Sequence, residues 1–351
     1  MSATIAARTL ARAALLLGAV AIPARGQWTP LTSGTTASLR GLSVVDARIA
    51  WASGTGGTVV HTTDGGATWT VDTIPGAEAL DLRAVHARSA RVAWVAATAG
   101  RIWRTTDGGR RWVQQYQASD SAVFLDAIDF WDDQHGMALG DPIDGRFHLL
   151  VTNDGGDTWR VLPLDERPVA APGEAAFAAS GSSLLLRGAP GSMEAWIGTG
   201  GAVARVHRHV SRAKGWVAYD TPLRQGGAAE GIFSLAEVPG EGFVIVGGHY
   251  EQGDSTRGNA ATSPTGSSWQ PVTGAPPGGY RSGVAFARRP GGRTIGIAVG
   301  PGGSDLSRDG GRHWAAFDRA GYHAVRASQD GMFYASGSGG RLARFDARAL
   351  P

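Results

Sequence analysis

The stretch Thr62-Thr63-Asp64-Gly65-Gly66-Ala67-Thr68-Trp69 returns almost unchanged as Thr105-Thr106-Asp107-Gly108-Gly109-Arg110-Arg111-Trp112. It returns again as Thr152-Asn153-Asp154-Gly155-Gly156-Asp157-Thr158-Trp159 and as Ser307-Arg308-Asp309-Gly310-Gly311-Arg312-His313-Trp314. A degraded copy ends at Trp269, and a still weaker one ends at Trp216. Successive tryptophans of this series stand 43, 47, 57, 53 and 45 residues apart. Periods of that length mark propeller blades and comparable repeat arrays.

Two further columns define the unit. A short apolar run ending in a small residue precedes each copy, as in Ala50-Trp51-Ala52-Ser53-Gly54, Ala93-Trp94-Val95-Ala96 and Ala195-Trp196-Ile197-Gly198, and it occurs seven times. An earlier run opens each unit: Leu39-Arg40-Gly41, Leu82-Arg83-Ala84, Leu125-Asp126-Ala127, Ala176-Phe177-Ala178, Ile232-Phe233-Ser234, Tyr280-Arg281-Ser282 and Tyr322-His323-Ala324. Gly and Asp punctuate the runs, and no window of helical period interrupts them. The pattern predicts an all-β chain: a seven-bladed β-propeller of four-stranded antiparallel blades. The seventh unit stops after its third strand, at Arg341-Leu342-Ala343-Arg344-Phe345, and Gln27-Trp28-Thr29-Pro30-Leu31 reads like a missing fourth. The N-terminal strand is therefore expected to close the last blade and remove two free sheet edges.

Composition agrees with many short strands. Glycine contributes 53 residues and proline 17, yet 42% of the 351 residues are apolar and 12 are tryptophan. A chain so rich in apolar surface can bury a core, which excludes disorder and collagen. The formal charge of +3 resides in Arg8, Arg12 and Arg25; beyond residue 26 the charges balance, and there is no global field to attract nucleic acid. Residues 1–26 read as a secretory signal, with a ten-residue apolar stretch from Ala13 to Ile22 and small residues at Ala24 and Gly26. Cleavage there leaves residues 27–351 as the propeller, exported to the periplasm or beyond. The chain has no cysteine, so disulfides and thiolate chemistry are excluded.

In the repeated turn the Asp carboxylate and the Thr or Ser hydroxyl accept backbone N–H groups, and the tryptophan buries a broad face between sheets. Asp64, Asp107, Asp154 and Asp309, with Trp69, Trp112, Trp159 and Trp314, are thus expected to be structural staples. The pattern Ser/Thr-x-Asp-x-Gly-x-Thr-Trp resembles the Asp-box, or BNR repeat, of sialidases, sortilin-type receptors and some glucan hydrolases. Over residues 27–351 the chain resembles the photosystem II stability/assembly factor family and its bacterial relatives, also in Asp129-Phe130-Trp131-Asp132-Asp133-Gln134-His135-Gly136, Gly140-Asp141-Pro142 and residues 181–187. The resemblance implies an exported seven-bladed propeller that binds membrane-protein assembly intermediates, with no enzymatic activity implied.

Propeller geometry puts the starts of the first strands and the loops between second and third strands at one mouth of the axial channel. The first-strand column, Arg40, Arg83, Asp126, Phe177, Phe233, Arg281 and His323, predicts a polar mouth, and arginine offers a planar fork for carboxylate or phosphate. The alternative is that these arginines pair with Asp126, Asp81 or carbonyls and merely fill the channel. Asp141, His249 and Tyr250 join the mouth from neighbouring loops, and the long loop 247–261 is placed to fold over it. The expected partner is a protein, such as a membrane-protein assembly intermediate, or an anionic ligand; no cofactor, metal or nucleic acid is expected, and the ring is read as a monomer. The competing reading is a carbohydrate-active hydrolase, glycosidase- or sialidase-like, with Asp126 and Asp141 as its acid pair. His207-Arg208-His209 lacks a clear third metal ligand. Gly54-Thr55-Gly56-Gly57 and Gly300-Pro301-Gly302-Gly303 join strand to strand and open no helix, so no dinucleotide loop is expected.

Overall fold

Apolar runs bounded by Gly, Asp and Ser form strands here because both of their faces find cover between neighbouring sheets. The second strands show this best: Ala50–Gly54, Ala93–Ala97 and Met332–Ser336 are buried along their whole length. A computed structural model describes residues 27–210, 215–289 and 291–350. Residues 1–26, read above as a signal segment, lie outside them. Among the described residues, no helix is long and apolar enough to cross a membrane.

The strands make seven antiparallel sheets, each a blade. Blade 1 runs outward as Leu39–Val44, Ala50–Gly54, Thr58–Thr62 and Thr70–Thr73. The innermost strands of blades 2 to 7 are Leu82–Ala87, Leu125–Phe130, Leu184–Arg187, Glu230–Val238, Gly283–Arg288 and Ala324–Ala327. Each innermost strand contacts those of the blades before and after it, so the ring closes. Blade 7 is completed by the N-terminal strand Thr29–Leu31, which lies antiparallel to Leu342–Asp346 with Thr29 opposite Arg344 and Leu31 opposite Leu342. Trp28 locks this closure. Its ring meets Phe317, Tyr322 and Phe345 at centroid distances of 5.5–6.1 Å, and its Nε1 donates to Ser304 Oγ at 3.0 Å.

The core lies in the seams between blades. The glycine-rich turns make those seams tight. A Cβ on Gly156 or Gly266, both at positive φ, would stand 2.2 Å from the indole of Trp94 or Trp196 on the preceding blade. Only glycine permits that approach.

Two strand assignments read from the sequence are corrected by the structure. In unit four the run at residues 176–179 is not the innermost strand; Leu184–Arg187 is. Instead Glu174–Ala175 and Gly200–Gly201 add two short strands to the inner edge of blade 5, giving a six-stranded sheet. The cause is a pair of glycines, since a Cβ on Gly231 would meet Gly200 Cα at 2.3 Å. In unit six the column slips by one residue. Gly283 pairs with Val299, so Ser282, not Arg281, takes the position held by His323 in blade 7. A one-residue slip sends a side chain to the opposite face.

Candidate functional site: the mouth of the axial channel

The residues that line the mouth are delivered by β-bulges. In blade 1 Leu39 pairs with Gly54 and Gly41 with Ser53, which leaves Arg40 unpaired between them. The same irregularity isolates Arg83, Asp126 and Phe233 in blades 2, 3 and 5. Ser282 and His323 enter likewise: their N–H groups donate to Val299 O (2.8 Å) and Ser336 O (2.7 Å), which lie opposite the following residues. A bulged residue re-aims its side chain while the ladder resumes beyond it. Here the side chains gather over the axis.

They enclose a cavity of about 430 Å³, lined among others by Arg40, Arg83, Asp126, Asp141, Tyr250 and His323. With Phe177 and Phe233, eight of the ten mouth residues expected from the sequence therefore meet in one place. Arg281 does not reach it. It is 3% exposed, its Nε and Nη2 lie 2.6 Å from Asp305 Oδ2, and its Nη1 donates to Tyr280 O. His249 turns away as well, accepting from Glu251 N at Nδ1 and facing Glu230 at 3.9 Å. Of the loop 247–261, Tyr250 is the residue that lines the cavity. Phe124 and Pro301 also line it and escaped the sequence reading because no repeat column marks them, while Tyr280 and Ser282 flank the column residue Arg281.

One side of the cavity is cationic. Arg40 is half-buried and, among the described residues, has no ion-pair partner; burial and the neighbouring Arg83 hold its pKa below the usual arginine value. Arg83 donates to Asp81 Oδ2 at 2.8 Å and lies 5.6 Å from the Phe124 ring centre, with its Nε buried and unpaired. His323 contacts Ser338 Oγ at 2.8 Å; burial, then Arg40, Arg83 and Arg341, push its pKa down to about 4, so it is neutral at pH 7. The opposite side is aromatic. Phe177 stacks on Phe233 at 4.0 Å, Tyr280 meets Phe233 edge-on at 4.8 Å, and Tyr250 extends the wall into solvent.

The two carboxyls stand between these sides. Asp126 is 1% exposed and its Oδ2 has no hydrogen-bond partner. Burial first, then the charge of Asp141, raises its pKa well above the ordinary aspartate value, and Arg83 only partly opposes this. Burial also raises Asp141, although Ala176 N donates to its Oδ1 at 3.2 Å.

The cavity is blind. Segment 180–183 crosses the channel beneath it: Gly181 O accepts from Arg326 of blade 7 at 3.0 Å, and Ser182 Oγ donates to Ser234 Oγ of blade 5 at 2.7 Å. Ser234 Oγ in turn accepts Val284 N of blade 6. A separate cavity of about 300 Å³, lined by His86, Asp129, Glu237 and Arg326, lies beyond this floor.

The repeated turns lie on the opposite face and share one hydrogen-bond pattern. Thr62 Oγ1 donates to Asp64 Oδ1 (2.8 Å) and accepts Gly66 N (2.9 Å), while Asp64 accepts Thr68 N (3.0 Å). The turns at Asp107, Asp154 and Asp309 repeat it. These bonds hold the Asp64 carboxyl far below its usual range. His207 is also occupied: its Nε2 lies 2.9 Å from Glu174 Oε1, which Thr199 and Arg205 bond too.

No protein-family profile and no curated protein matches the chain. Solved structures of the same architecture do. YCF48 bound to a D1 peptide superposes with a TM-score of 0.64 at 17% identity, over 91% of this chain and 96% of that one. YCF48 from Cyanidioschyzon merolae gives 0.61 at 18% identity, over 91% and 98%. A streptogramin B lyase gives 0.63 at 10% identity, over 91% and 97%. At these identities the likeness establishes the fold. The chain is a seven-bladed β-propeller.

Proposed function

We propose that the protein is a binding propeller whose channel mouth takes a carboxylate-bearing segment of a partner protein, in the manner of an assembly factor. The observation that carries this reading is Arg40: a guanidinium with no acid opposite it, in a blind cavity walled by aromatic rings. Asp126, whose pKa is raised well above the usual aspartate value, repels an incoming carboxylate less than an ordinary aspartate would. Similarity to a propeller solved with a peptide bound supports a protein partner. Export through residues 1–26 belongs to the same reading, and N-terminal sequencing of the mature protein should then begin at Gln27.

The test is affinity capture from the native envelope fraction with wild-type protein and with the double variant Arg40→Ala, Arg83→Ala, read by mass spectrometry. The variant should melt like wild type and lose the specific partner at least tenfold. Equal recovery with both proteins would sink the proposal. The hydrolase reading retains one favourable observation, two raised carboxyls in a single cavity. Turnover of a glycoside abolished by both Asp126→Asn and Asp141→Asn would establish it instead.

A further inference from the structure

Three junctions between blades share a contact that the junction of blades 3 and 4 lacks. In blades 1, 2 and 4 the second strand carries Trp51, Trp94 and Trp196 at matching positions. Each indole is fully buried against the following blade: Trp51 against Trp112, Trp94 against Phe130 and Gly156, Trp196 against Phe243 and Gly266. In blade 3 the same position, opposite Val151 as Trp51 is opposite His61, is Met137. The following blade lacks the counterpart too. Between Arg205–Val210 and Trp216–Asp220 the sequence is Ser211-Arg212-Ala213-Lys214-Gly215, with no Asp-Gly-Gly. The tryptophan is thus replaced in blade 3, and the sequence of the facing turn departs from the repeat.

The result is a slot of about 450 Å³ between blades 3 and 4. Its walls are Trp131, Trp216, Met137, Met193, Val151 and Leu162. The two indoles are pinned at their polar edges, Trp131 Nε1 donating to Glu194 O at 2.8 Å and Trp216 Nε1 to Glu166 O at 3.1 Å. With those donors satisfied, the rings offer apolar surface to the space between them. Polar groups stand at the rim, His135, His209, Asp165 and Arg160 among them. A largely apolar, aromatic cavity of a few hundred Å³ with a few polar groups is the usual form of a small-molecule site.

We infer that this slot binds a planar aromatic small molecule of about indole size, which takes the place that a tryptophan of the chain fills beside blades 1, 2 and 4. The site is separate from the channel mouth, and its ligand need have no charge.

The chain provides its own reporters. Of its four methionines, Met137 and Met193 line the slot, while Met332 lies in blade 7. Indole is titrated into the protein carrying 13C-methyl methionine, and the methyl resonances are followed by NMR. The Met137 and Met193 signals should shift saturably and the Met332 signal should stay in place. Met137→Trp, which rebuilds the missing contact, should weaken the Met193 response at least tenfold; if that variant fails to fold, Met137→Phe replaces it. Arg40→Gln should leave indole binding intact, which separates this site from the mouth. Absence of a shift at saturating indole, an equal shift at Met332, undiminished binding in the refilled variant, or loss of binding in Arg40→Gln would each overturn the inference.

Discussion

Asp126 is a carboxyl placed where ionisation is opposed on three counts: it is buried, one oxygen lacks a donor, and Asp141 adds like charge. Its pKa is therefore higher in the folded chain than in the unfolded one. A group of this kind adds stability below its unfolded pKa, and that contribution is lost as pH rises through the folded value. Asp126→Asn should thus melt higher than wild type at pH 7, and the gap should close as pH falls to about 3.5, below the ordinary aspartate pKa. Thermal melts across that range check it; a gap independent of pH would mean that folding leaves the Asp126 pKa unshifted, and a variant that melts below wild type at pH 7 would mean that Asp126 is ionised and paired. The presence of an acid in this column was legible from the repeats. The rise in its pKa was not, because that depends on burial and on Asp141 and Arg83, which no repeat column brings together. The same limit applies to Arg281, where the column showed a cation but not the Asp305 beneath it.

Among elements, the glycine-rich turns were the most legible, since every bond in them spans at most four residues. Asp154→Ala removes acceptors for Thr158 N and Thr158 Oγ1 and leaves Thr152 without its acid partner. The expected cost is about 1–2 kcal/mol in chemical denaturation, with partner capture at the mouth unchanged. The closing strand was legible for a different reason, the missing fourth strand of unit seven. Trp28→Ala should cost about 3–5 kcal/mol, the range for an aromatic lost from a core, and should speed proteolysis at both termini. Unit four was misread because its innermost strand is set by distant contacts, the approach of Gly200 to Gly231 and the crossing of segment 180–183. Neither leaves a periodic trace. Unit six was misread by a single position because hydrophobic spacing does not reveal which residue is bulged.

On the scale of the whole molecule, the ring holds two chemically different faces, one stapled by repeated turns and one gathering side chains from six blades and the segment 176–179. The floor at Gly181 separates the mouth from the cavity beyond it, so charge changes at His86 or Glu237 should leave capture at the mouth unaltered; binding measured with Glu237→Gln checks this. Blade number and closure were readable from repeat spacing. What spacing could not show was where repetition fails, at the seam between blades 3 and 4. The bulges have a consequence of their own. Each aims its residue through a main-chain geometry that arginine, aspartate and phenylalanine all adopt, so the backbone device does not depend on which side chain it carries. The rim thus behaves as a set of interchangeable sockets, and its recognition can be rewritten one position at a time without rebuilding the scaffold underneath.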